Sequence, residues 1–214
     1  MHSQQAEQLR PLAILRLASV AVVAAACASN PHNRVFDEFP ASVNGHTDVI
    51  YYDVQGATFD ELRRALRADG PKVDGRSFVG ETRSPMKWNW RLESVGASQC
   101  SIREVTVSVN TQVTLPRWRP PPEADPALVV EWNRFVHALE THESGHKDIS
   151  ARAGRDIVAR LRGMTGSCSQ INSNANEIAR AIVEKASQDQ IAYDAQTRHG
   201  LTQGTTFRSP PPSQ

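Results

Sequence analysis

His142 and His146 stand four residues apart, with Glu143 directly after the first and Ser144 and Gly145 between, which is the HExxH arrangement. On a helix, side chains four apart lie one turn above each other. Both imidazoles can then reach one metal ion while the glutamate faces the same opening. Imidazole nitrogens suit zinc, and a carboxylate beside them is placed to take a proton from water. The chemistry expected is metal-assisted hydrolysis, with His142 and His146 as Zn²⁺ ligands and Glu143 as the catalytic base. The competing view, three ordinary polar side chains on a solvated helix face, is disfavoured by the need for three specific residues in the right register.

The elements around the motif support a helix. Ala127, Leu128, Val129, Val130, Trp132, Phe135, Val136 and Leu139 recur with helical spacing, and Pro120, Pro121 and Pro122 prevent an earlier start. Glu131, Arg134 and Glu140 are expected on the opposite faces. Ile149, Ala153, Ile157, Val158 and Leu161 carry the pattern to about Met164, with Gly166 as a stop signal. Lys147 and Asp148 follow His146 directly, where neutral or apolar residues are usual in zinc-protease helices.

Twenty-four basic and 23 acidic residues give a formal net charge of +1 over 214 residues. No basic stripe marks a nucleic-acid partner, so none is expected. Residues 1–28 read as an export leader: Arg10 and Arg16 precede a short apolar run from Leu17 to Ala26 that ends in small residues, too short to span a bilayer comfortably. Ala24-Ala25-Ala26-Cys27 resembles a bacterial lipoprotein box. Lipidation at Cys27 is favoured over ordinary cleavage beside it, giving membrane association through a lipid anchor. The expected location is periplasmic or outer-membrane, with full secretion second. Either fate of Cys27 leaves Cys100 and Cys168, an even pair that should form a disulfide in an oxidising compartment.

Residues 29–45 carry Asn, Pro, Ser and one His with little periodicity and read as a linker, followed by one domain over 46–207 and a disordered tail, 208–214. Within the domain, Val49 to Val54 predicts a strand, and Thr58 with Glu61 forms a capping box for a helix through Leu62, Ala65 and Leu66 that ends at Asp69-Gly70-Pro71. Trp88 and Trp90 alternate with Lys87, Asn89 and Arg91 as in a strand. From Ile102 to Leu115, Val105, Val107, Val109, Val113 and Leu115 face one way and Thr106, Ser108, Asn110, Gln112 and Thr114 the other. Ile171 to about Thr197 predicts a last helix. The fold expected is α+β and zincin-like: a small antiparallel sheet packed with the long HExxH helix and a second C-terminal helix.

The ordered set Tyr51-Tyr52-Asp53-Val54-Gln55-Gly56, Trp88-Asn89-Trp90, Cys100, the HExxH segment, Cys168, Tyr193-Asp194, Thr197-Arg198-His199-Gly200 and Gln203-Gly204 resembles the bacterial domain-of-unknown-function family nine hundred and twenty-two. Its members are described as predicted secreted zinc-dependent proteases. The resemblance covers about residues 46 to 207 and names no substrate. A catalytic zinc site needs three protein ligands with a fourth position open. The family-like segment points to His199 as the third, where a helix gives way to a glycine-containing loop. Glu177 is the next candidate and Glu184 a distant third, while Asp194 could orient an imidazole through its second nitrogen.

These readings converge on a zinc-dependent hydrolase, foremost a metallopeptidase of the cell envelope with a peptide or protein substrate. A zinc amidase acting on cell-wall material would share the site. The competing class is a non-catalytic exported binding or scaffolding lipoprotein that retains the helix.

Overall fold

A computed structural model of the chain describes residue 36 and residues 38–209. The leader and Cys27 lie outside the described residues, as does the end of the expected tail. The elements run β1 (Asn44–Val54), α1 (Phe59–Asp69), β2 (Lys72–Val73), β3 (Arg76–Ser77), β4 (Glu81–Arg83), β5 (Met86–Ser94), β6 (Gln99–Trp118), α2 (Pro126–Leu161), β7 (Thr165–Ser167) and α3 (Ile171–Thr197), then a 3-10 turn, Leu201–Gln203. Among the described residues the class is α+β, with a mixed sheet and three α-helices. No described helix is long and apolar enough to cross a membrane.

The spine of the sheet is β6. Its alternating valines, expected to form one core face, are buried from Val105 to Leu115. On one edge β6 pairs antiparallel with β4 and β5; on the other it pairs with β1 and β7. The expectation of an antiparallel sheet fails at β1, which runs parallel to β6 from Asn44 opposite Ser108 to Val54 opposite Trp118. Some 44 residues intervene between the two, including α1 and the β4–β5 segment, enough chain to return in the same direction.

Local signals set the helix ends. The Thr58 hydroxyl accepts from the Glu61 amide, and the Glu61 carboxylate accepts in turn from Ala57 at 2.8 Å, a capping box displaced by one residue at its return bond. Asp125 caps α2 by accepting from the Ala127 amide, and Pro126 occupies the first turn, where its missing N–H costs nothing.

Two apolar clusters lie along α2. One gathers Leu62 and Leu66 of α1 with Trp118, Trp132, Phe135 and Phe207; the other joins Val107 and Val109 of β6 to Ile157, Leu161, Ile171 and Ala175. The segment expected as a linker contributes to both: Phe36 and Val43 are buried, at 1% and 6% exposure. Their apolar spacing is too sparse to mark an element, so only tertiary packing reveals them. Arg208, read as the start of the tail, donates its amide to Glu131.

The expected disulfide is present between Cys100 and Cys168, 68 residues apart in sequence. It ties the start of β6 to the segment just before α3, and the enclosed loop contains all of α2. In the chain-entropy view a loop of this size stabilises the folded state by about 4 kcal/mol. Replacing both cysteines with serine should lower the unfolding free energy in denaturant titration by a value approaching that figure, without altering the far-ultraviolet dichroism of the folded form.

Candidate metal centre

Between the two apolar clusters α2 buries polar residues instead: Glu140, His142, Glu143, Lys147 and Ser150. Lys147, the departure noted beside the motif, is 1% exposed and donates to the Glu38 carbonyl at 2.9 Å, with its ammonium over the Phe39 ring and 3.1 Å from Asp148. Its role is to fasten the N-terminal strap to the helix, on a side that does not line the cleft. Glu140, expected on the solvent face, is buried as well.

His142 and His146 project side by side into the cleft between the β4–β5 edge and α3, their ring centroids 4.8 Å apart. α3 crosses close above them because residue 145 has no side chain: a Cβ there would come within 2.2 Å of the Tyr193 hydroxyl oxygen. The Tyr193 ring fills that space, stacked on His142 and edge-on to His146. The next residue, Asp194, reaches between the imidazoles, with Oδ1 3.2 Å from Nε2 of each. His142, His146 and Asp194 place one ligand atom apiece within 4.8 Å of one another.

The far side of each ring is occupied. The Nδ1 atom of His142 meets Gln203 Oε1 at 2.9 Å, and that of His146 meets Gln190 Oε1 at 2.6 Å. The amide nitrogens fix these orientations. Gln190 donates to the His146 carbonyl and to Ser150, and Gln203 donates to the Tyr193 hydroxyl. A neutral imidazole has one N–H to give, yet each ring faces acceptors at both nitrogens. Without a cation, both rings would have to be protonated side by side. Burial, followed by the neighbouring His146, instead holds His142 below the usual imidazole pKa, outweighing its contacts with Gln203 and Asp194. The donor set therefore fits a divalent cation: two Nε2 lone pairs and a carboxylate oxygen converge, while each Nδ1–H is held by a glutamine.

Glu143 sits next to this group but outside it. Its carboxylate accepts a hydrogen bond from the Thr82 hydroxyl at 2.7 Å, and β4 approaches so closely that a Cβ on Gly80 would lie 2.6 Å from Glu143 Oε1. Burial pushes the carboxyl up to about 7; the Thr82 bond opposes this, and Asp194 and Glu81 add to it.

The third position differs from expectation. His199 is near the group, its Nδ1 3.5 Å from Asp194, but the side chain is 65% exposed and its ring stands beside Phe78. Arg198, His199 and Gly200 all have positive φ, so the chain leaves the axis of α3 here, and the His199 ring lines the cleft without joining the imidazole–carboxylate group. Glu177 and Glu184 are exposed on α3 and do not line the cleft. Asp194 reaches the imidazoles because it lies one turn beyond Gln190 on the face that meets α2. Its sequence signal was its neighbour Tyr193, whereas Thr82 carries none, being one threonine in a three-residue strand.

Asp194→Ala should abolish stoichiometric metal binding in a titration followed by elemental analysis, whereas His199→Ala should retain it. Gln190→Leu should weaken affinity by roughly 10- to 100-fold, the usual cost of losing a group that orients a ligand. The reverse ranking of Asp194 and His199 would restore the histidine as the third ligand.

Neither curated proteins nor solved structures yield a match to the chain. Residues 49–200 do match a family model, described as "Bacterial protein of unknown function (DUF922)", and that span holds the cleft walls, both histidines, Glu143 and Asp194; the chain belongs to this family.

Proposed function

We propose that the protein is a zinc-dependent hydrolase, and specifically a metallopeptidase of the bacterial cell envelope. The observation that carries this reading is the convergence of two imidazole Nε2 atoms and the Asp194 carboxylate on one point, with Glu143 beside it in the same cleft. Two neutral nitrogens and one carboxylate oxygen suit zinc, and three ligands leave the fourth position open, as in catalytic zinc sites. Export is supported by the leader-like residues 1–28 and by a disulfide that persists in oxidising surroundings.

A zinc ion held by His142, His146 and Asp194 would supply Lewis acidity to the scissile carbonyl and to the attacking water. The chain's own residues supply the rest. Glu143 takes the proton that the water loses and passes it to the leaving amine. Glu143 is largely shielded from solvent beside the imidazoles, and burial raises its readiness to hold a proton in the metal-free protein. The Thr82 hydroxyl holds one oxygen of the carboxylate and fixes its plane. Gln190 and Gln203 keep the imidazole nitrogens that face the cleft free of protons.

Glu143→Gln should retain bound zinc and lose cleavage of a peptide library by at least about 100-fold, the usual scale of general acid–base catalysis. Activity persisting in that variant removes the base assignment, and a zinc-loaded wild type that cleaves nothing removes the hydrolase. The metal-free protein provides a second check. Because the folded Glu143 carboxyl lies above its ordinary 4.5, its favourable contribution to folding is complete below that value and is lost as the pH rises through about 7. The stability of wild type relative to Glu143→Gln should accordingly fall between pH 5 and about 8 in denaturant titrations.

A further inference from the structure

Building on the hydrolase reading, we infer that the cleft receives an internal stretch of extended polypeptide and seats one large apolar side chain of it among Met86, Trp88, Val183 and Ala186. The floor is α2, which presents Leu139, His142, Glu143, His146 and Ser150 turn after turn to a space of about 620 Å³. From Leu139 to Ser150 the helix advances about 16 Å. An extended chain covers that distance in about five residues, so a lone amino acid or single sugar amide would leave most of the trough empty.

The walls favour the same shape of ligand. β4 is the last strand on its side of the sheet, and Glu81 and Thr82 line the cleft beside the catalytic carboxylate. An outermost strand carries backbone groups that a second extended chain can pair with. α3 forms the opposite wall through Val183, Ala186, Gln190 and Asp194.

The two flanks of the imidazoles are not alike. Toward Leu139 the lining includes Phe78 and the exposed His199, whereas toward Ser150 it includes the apolar Met86, Trp88, Val183 and Ala186. The indole N–H of Trp88 is already spent on Asn176, so that flank offers a ligand hydrocarbon contact. Among the described residues lining the cleft there is no lysine or arginine, so a terminal carboxylate meets no basic side chain. A segment that continues past both ends avoids that loss, which points to cleavage within a chain.

The test reads binding on the zinc-loaded protein, without turnover. Calorimetry compares acetohydroxamate, which carries only the chelating group, with two peptide hydroxamates bearing an isobutyl side chain on either side of that group. One isobutyl probe should bind at least about tenfold more tightly than acetohydroxamate, as expected for burying a leucine-sized side chain. Ala186→Trp should erase that advantage and leave acetohydroxamate binding unchanged. Ser187→Trp, on the exposed side of the same helix, offers a second way to fill the flank with little risk to folding. Equal affinity for all three probes, or an advantage that survives both substitutions, overturns the apolar subsite. A retained isobutyl preference with no Glu143-dependent cleavage of any peptide leaves the subsite standing and removes the hydrolase instead.

Discussion

The close passage of α3 over α2 at Gly145 is the contact on which the candidate metal site depends. With no side chain at that position, the Tyr193 ring can lie against the helix, stacked on one imidazole and edge-on to the other. Everything that completes the group follows from this spacing. Asp194 reaches the imidazoles from the residue beside the tyrosine, Gln190 holds His146 from one turn earlier, and Gln203 holds His142 from the turn that follows α3. A methyl group at 145 would favour the helix locally yet displace the Tyr193 ring from its place against His142 and His146.

The polar stretch of α2 is tolerated because its members are satisfied. No buried side-chain nitrogen or oxygen among the described residues lacks a hydrogen-bond partner. The apolar clusters on either side take the role of a conventional core, so the middle of the helix is free to carry charge and donors. Burial in turn reshapes the acidity of that middle region, raising Glu143 and lowering His142 through the same loss of solvation. The two shifts have opposite signs because the charged form is the deprotonated one for a carboxyl and the protonated one for an imidazole.

Periodicity made the long elements legible. The alternation of β6, the extent of α2 and α3, and the cysteine pair could all be read from residue types, since each depends on short-range spacing or on counting. The parallel pairing of β1 with β6 could not, because strand direction is decided by how far the intervening chain travels. Phe36 and Val43 were hidden for a related reason: an isolated apolar residue in a polar stretch acquires meaning only from what it packs against. At the site, His142, Glu143 and His146 are placed together by one helical turn, whereas which of Asp194 and His199 stands against both imidazoles depends on where α3 ends. Three successive left-handed residues, two of them not glycine, are a backbone decision that residue types do not announce.

α3 is secured at both extremities. At its start, Cys168 is bonded to Cys100 and β7 pairs with β6; past its end, Arg134 grips the carbonyls of Gly204 and Thr206, and Phe207 is packed among Phe59, Trp132 and Phe135. A beam clamped in this way resists sideways deflection, so the gap between it and the sheet keeps its width whether or not anything fills it. Any guest of that gap would find its berth already shaped, and its affinity would not be eroded by the entropy of organising the host.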